Sequence, residues 1–218
     1  TYEPWRGTFY PPGLAHKREL EYASGKLTSI EINGTFFRTQ SAASFAKWRD
    51  ETPADFVFSV KATRYATNRA VLAEAGDSVQ RFFTSGLAVL GPKLGPVLWQ
   101  FSAFKRSEAE DFERFLALLP PQLGALRLRH VLDVRHKSFA TKEFVELARR
   151  YRTAVVFSDT DEFPAFADVT AEFVSAGLMR SVSEEPSGYS TPALQAWAMR
   201  AKRWQEGSEP DDLPRIGA

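Results

Sequence analysis

Five short apolar runs each close on side chains able to do chemistry: SIEIN on Glu31 and Asn33, FVFSVK on Lys61, PVLWQF on Gln100, HVLDVRH on Asp133 and Arg135, and AVVFSD on Asp159. Brought together, these are the parts of an acid–base site with an anion clamp. Glu31 is a candidate general acid or base, because a carboxylate withdrawn from water can be tuned toward a neutral pKa. Lys61 and Arg135 would hold an anionic group, Arg135 through a bidentate fork. Asn33 and Gln100 would orient the substrate, while Asp133 and Asp159 would position the cations. Catalysis is therefore assigned to Glu31, Lys61 and Asp133, and substrate binding to Asn33, Gln100, Arg135 and Asp159. In a hydrolytic variant, Glu31 and Asp133 would act as paired carboxylates on a glycoside or phosphoester. No cofactor is predicted; a divalent metal on Glu31, Asp133 and Asp159 is the weaker alternative.

These residues need a frame that turns their strands the same way. The runs read as strands over 27–33, 56–61, 97–101, 130–135, 154–159 and 172–178. Helices are expected over 14–24, 42–50, 78–90 and 191–205, and after the fourth strand where Phe144, Leu147, Ala148 and Tyr151 share one face, with Gly91-Pro92 and Gly95-Pro96 as breakers before the third strand. Ser107 and Glu110 match a capping box for a further helix, which carries Phe112, Phe115, Leu116 and Leu119 at helical spacing and stops at Pro120-Pro121. The final helix should bury Leu194, Trp197, Ala198, Ala201 and Trp204. Alternating β and α units whose strands end in polar groups predict an α/β, TIM-like (β/α) barrel with its site at the C-terminal rim. Alternation along the strands turns Glu31, Asn33, Ser59, Lys61, Leu98, Gln100, Val131, Asp133 and Arg135 inward, and with them Val155, Phe157 and Asp159. A closed salt-bridge network at the barrel mouth is the structural alternative to a ligand site.

A length of 218 residues suits one barrel domain over 1–218, and six strands fall two short of eight. A net charge of +1 supplies no global field for nucleic acid or anionic membrane. The absence of cysteine excludes disulfides, thiolate zinc sites and cysteine nucleophiles, and fits a cytoplasmic setting. No run approaches the roughly 20 apolar residues of a membrane span. There is no G-x-S-x-G, H-E-x-x-H or G-x-G-x-x-G motif, and His16, His130 and His136 are not spaced as metal ligands. His130 and His136 belong outside the barrel or in its loops. Arg127, Arg129, Arg149 and Arg150 offer only weak support for a nucleic-acid partner, since Arg149 and Arg150 fall on the solvated side of a helix. Trp5, Arg6, Phe9 and Tyr10 read as aromatic packing in preference to a stacking surface.

Several segments in order, among them Trp5-Arg6-Gly7-x-Phe9-Tyr10-Pro11-Pro12-Gly13-Leu14, Ser29-Ile30-Glu31-Ile32-Asn33-Gly34-Thr35-Phe36, Phe56-Val57-Phe58-Ser59-Val60-Lys61, Leu90-Gly91-x-Lys93-Leu94-Gly95-Pro96 and Val134-Arg135-His136, resemble the YecE-like family over nearly the whole chain. That is a domain-of-unknown-function family with a TIM-barrel-like fold, so the resemblance implies a barrel and no established reaction. It also implies that the family's first and last strands are absent here, the chain being truncated at both ends. Family-like positions often read Tyr and Arg where this chain has Ser175 and Gly177, and Glu where it has Asp133. The expected function is an enzyme acting on a small anionic or sugar-like molecule, such as a sugar phosphate or phosphoester. The alternatives are a non-catalytic barrel binding nucleic acid or another ligand, and a degenerate family member without activity.

Overall fold

The computed structural model describes residues 3–217. Six parallel strands, Ser29–Ile32 (β1), Val57–Lys61 (β2), Leu94–Gln100 (β3), His130–Asp133 (β6), Ala154–Asp159 (β7) and Ser175–Leu178 (β8), form one curled half-barrel sheet in the order β1-β2-β3-β6-β7-β8. A small antiparallel hairpin of Gln122–Leu123 (β4) and Leu126–Arg127 (β5) precedes β6, where the sequence pattern predicts no strand.

The helices are Glu19–Ser24 (α1), Gly34–Phe37 (α2), Ala42–Asp50 (α3), Arg64–Thr67 (α4), Gly76–Thr84 (α5), Ala109–Ala117 (α6), Lys142–Arg150 (α7) and Thr191–Gln205 (α8). Of these, α2 and α4 are single turns at the ends of β1 and β2, while α3, α5, α6 and α7 pack on the convex face. Between them and the sheet lies the main core, in which Phe58 and Val60 of β2, Val97 and Trp99 of β3 and Leu132 of β6 meet Phe45, Phe82, Phe83, Phe115 and Phe144. The concave face carries a much thinner apolar layer of Leu98, Val131 and Ala154, with Val156, Ala171 and Phe173 against it. Apolar burial therefore holds helices to the outside and leaves the inner face free for polar work.

Local chemistry explains most boundaries. Ser41, Thr141 and Ser190 each accept a backbone N–H three residues on, opening α3, α7 and α8. The capping box expected at Ser107 does not form. Glu108 is the N-cap without a side-chain bond, and the Ser107 amide is drawn away to the Ser138 hydroxyl at 2.8 Å. The helix expected over 78–90 ends at Thr84 and resumes as a 3-10 segment, Leu87–Lys93, because Gly86 takes φ 111° against Ala42. Gly95-Pro96 does not break the chain but lies inside β3. A β-carbon at Gly95 would stand 2.5 Å from Val57 Cγ1, so only glycine lets β2 and β3 approach there, beside the register shift between Phe58 and Val60.

Lys93, buried at the end of that segment, donates from Nζ to the carbonyls of Arg49 (2.5 Å) and Thr52 (2.7 Å) and to the Thr52 hydroxyl (3.0 Å). It thereby satisfies carbonyls at and beyond the C-terminus of α3. At the opposite end of the chain, Asp168 accepts the amides of Ile216 (2.9 Å) and Gly217 (2.7 Å), tying down a terminal segment that is a loop.

Two expectations fail in the C-terminal third. Strand β7 is turned by one residue relative to the predicted alternation. Val131 pairs with Ala154 and Leu132 with Val155, so Ala154, Val156 and Ser158 face inward while Val155 joins the outer core. Helix α8 has no buried residue. Trp197 and Trp204 rest on Phe157 with centroids 5.7 and 6.1 Å apart, while Leu194, Ala198 and Ala201 are exposed. Its apolar stripe meets a single strand rather than a core. No helix among the described residues is long and apolar enough to cross a membrane.

Candidate functional site

Parallel strands end at the same edge of the sheet, so residues that finish them become neighbours. Gln100 and Asp133 are register partners on β3 and β6, and Lys61 is the partner of Leu98, two residues before Gln100. Glu31, Lys61, Gln100, Asp133 and Arg135 line one cavity of about 180 Å³ on the concave side, completed by Val156 and Ser158 of β7 and Ser175 and Gly177 of β8.

The charges there are paired. Lys61 Nζ lies 3.2 Å from Glu31 Oε1, with the lysine side chain 15% and the glutamate 33% exposed. Arg135 Nη2 donates to Asp133 Oδ2 at 2.8 Å and to Gln100 Oε1 at 3.1 Å, and Nε donates to the same carboxylate at 3.1 and 3.3 Å. The Phe163 ring sits under the guanidinium at 4.7 Å from its centroid. Arginine and carboxylate are thus held in a fixed fork in partial shelter from water, where such contacts are strongest. The second pair is looser, with one lysine contact.

Two assigned residues lie elsewhere. Asn33 is exposed as the N-cap of α2, its side chain making no capping bond and its carbonyl accepting from Phe36. Asp159 shares the parity of Val155 and Phe157 and binds Arg180 (3.1 Å) and the Tyr189 hydroxyl (3.2 Å) outside the cavity. Burial first of all raises the pKa of that hydroxyl, and its bond to Asp159 adds to this. The carboxylate trio weighed for a metal therefore does not converge, and no three His, Asp or Glu side chains among the described residues surround a common point. Ser158 and Gly177, absent from the sequence assignment, do face the cavity. The pairing of β7 with β6 turns Ser158 inward, and the pairing of β8 with β7 sets Gly177 opposite Ser158, registers that no local pattern reveals.

The histidines are structural in their contacts. His130 is buried, accepting the Trp99 indole N–H on Nδ1 (3.1 Å) with Nε2 2.8 Å from the Pro120 carbonyl. His136 caps the 3-10 turn after β6 by accepting the Ser138 amide. Trp5, Phe9 and Tyr10 pack on one another and on Tyr22, and Arg6 donates to the buried Glu19 at 2.7 Å. These are packing roles, as the sequence favoured.

Known proteins are similar to this chain in sequence and in fold. The chain is 28% identical over 144 residues to UPF0759 protein YunF of Bacillus subtilis, covering 64% of this chain and 50% of that protein. It is 27% identical over 124 residues to UPF0759 protein YecE of Escherichia coli K12, covering 56% of this chain and 43% of that protein. It thus spans about half the length of the relatives it matches. Among solved structures, a DUF72 family protein (TM1631) of Thermotoga maritima superposes with a TM-score of 0.74 at 19% identity, over 95% of this chain and 85% of that one. A DUF72 family protein (EF0366) of Enterococcus faecalis gives 0.68 at 15%, over 87% and 78%. The model described as "Protein of unknown function DUF72" matches residues 1–211, which bears out the YecE-like resemblance: the chain belongs to the DUF72 family.

Proposed function

We propose that the cavity at the C-terminal strand ends binds a small polar molecule carrying an anionic group, of the sugar phosphate or phosphoester class, and that the chain acts on it as an enzyme. One observation carries the reading: Glu31, Lys61, Gln100, Asp133 and Arg135, from four adjacent strands, meet in a single cavity. At about 180 Å³ it is smaller than the roughly 300–1,000 Å³ of pockets for drug-sized ligands, which favours a compact substrate. Arg135, already oriented by Asp133 and Gln100, offers its remaining N–H groups to the anion. Lys61 leaves Glu31 for the ligand, and Glu31 is then free to exchange a proton with it. The frame in this reading is a TIM-like barrel in one domain, supported by the curled parallel sheet and by the superposition on DUF72 proteins.

The test is a thermal-shift screen with sugar phosphates and simple phosphoesters. A binding ligand raises the melting temperature by mass action. The shift should vanish in Lys61→Ala and Arg135→Ala, and Glu31→Gln should abolish turnover of the ligand found while leaving its binding in place. A polar rim that binds none of them is a structural network, and the reading is then wrong.

A further inference from the structure

A second cavity, of about 640 Å³, opens above the C-terminal ends of β1 and β2, between the turns after those strands and helix α5. Its charge pattern is the reverse of the first. Arg64, Arg69 and Arg81 all line it, and no Asp or Glu does. Arg69 Nε and Arg81 Nε donate to the backbone carbonyls of Tyr65 (3.1 Å) and Asp77 (3.2 Å), and Arg69 Nη2 donates to Ser78 at 3.4 Å. These bonds orient the guanidinium groups without neutralising them. Arg64 lies against two rings, 5.7 Å from the Phe37 centroid and 5.6 Å from that of Tyr65. Those rings are 57% and 60% exposed, although large aromatic side chains gain most from burial.

We infer that this cleft binds a nucleotide, free or as a unit of a single strand, its phosphates on the three arginines and its base stacked on Tyr65, the exposed ring that lines it. Clustered guanidinium groups match phosphate oxygens in geometry and charge, and an exposed ring beside them accepts any base by its π-face. The other large cavity, at the opposite end of the sheet, also holds several arginines. There Arg127, Arg149 and Arg150 lie within ion-pair distance of Glu172, Asp168 with Glu209, and Glu113 respectively, and Arg129 lies over the Phe173 ring at 5.7 Å. Arg152 also lines it, but so does the carboxylate of Glu172, whereas the cleft above β1 and β2 has no acidic lining residue.

Calorimetric titration at low salt with inorganic pyrophosphate, adenosine, ATP and a short oligothymidylate tests this. Pyrophosphate, ATP and the oligonucleotide should bind, and adenosine should bind far more weakly than ATP. Arg64→Ala and Arg81→Ala, at exposed positions, should each weaken ATP binding about tenfold at unchanged melting temperature. Tyr65→Ala should cost ATP about fivefold or more and leave pyrophosphate unaffected. A strand as the source gives oligothymidylate the higher affinity, with a log–log salt slope that shrinks by roughly 0.7 for each phosphate that an arginine variant no longer neutralises; a free nucleotide gives ATP the higher affinity. Retention of binding in Arg135→Ala separates this cleft from the smaller cavity. The inference is overturned by a protein that binds none of the phosphate probes, by arginine variants that bind like the parent, or by a loss of binding in Arg150→Ala instead. An unchanged ATP affinity in Tyr65→Ala overturns the nucleotide in favour of a bare phosphate.

Discussion

Arg135 is clasped by Asp133, two residues before it on the same face of the chain, through Nη2 at 2.8 Å and Nε at 3.1 Å from Oδ2. Gln100 on the neighbouring strand takes a further N–H at 3.1 Å. The guanidinium is therefore fixed before any ligand arrives, which lowers the ordering cost of binding.

Asp133→Asn removes the charge of that fork while keeping its shape. Urea unfolding should show a loss of about 1–3 kcal/mol, because a sheltered guanidinium is left short of its acceptor. Gln100→Ala, which removes one neutral partner, should cost less. Equal losses in the two variants would contradict the assignment of Asp133 as the main partner.

Gly177 faces the cavity with ordinary space around it: a β-carbon would meet Met179 Cγ at 3.9 Å and the Phe157 carbonyl at 4.0 Å. Gly177→Arg should therefore fold with stability within about 0.5 kcal/mol of the parent. It should also tighten binding of inorganic phosphate at the rim, read by calorimetry. A large destabilisation would mean the inner face is more crowded than these distances indicate.

His130 carries a pH prediction. Burial lowers its pKa below the usual 6.5, and the bond to the Pro120 carbonyl opposes this only in part. Because Nδ1 accepts the Trp99 N–H, a second ring proton would face a donor. The unfolded chain thus binds the proton first as the pH falls. Stability is full above about 6.5 and declines as the pH drops through the lowered folded value. Denaturation midpoints between pH 7.5 and 5 should fall more steeply for the parent than for His130→Gln.

Lys93→Met keeps the aliphatic stem and removes the ammonium that bonds to Arg49 and Thr52. Roughly 1–3 kcal/mol should be lost, since carbonyls beyond α3 lose their donor. Hydrogen exchange should quicken first in α3, and protection unchanged there would refute the capping role.

The strand ends are legible in the sequence because polar residues interrupting apolar runs are a local signal. Glu31, Lys61, Gln100, Asp133 and Arg135 stand out in that way, and the structure brings all five into one cavity. Asp159 is misplaced by simple alternation because its side depends on how β7 pairs with β6, a non-local fact that a one-residue shift reverses. Asn33 reads as strand although the chain has already turned into α2. The arginine cleft escapes a sequence reading because Arg64 and Arg81 are distant along the chain and meet only once α5 folds back over the end of β2.

Every pairing in the six-stranded sheet is parallel, and this bears on how the chain reaches its fold as well as on where its residues lie. No two neighbours can be zipped from a tight hairpin; each must wait for an intervening segment to loop back across the sheet. The entropy of closing those loops is lost before strand contacts compensate for it, so such topologies fold slowly. During that interval runs such as FVFSV and AVVF are uncovered together, and refolding yield should fall as chain concentration rises.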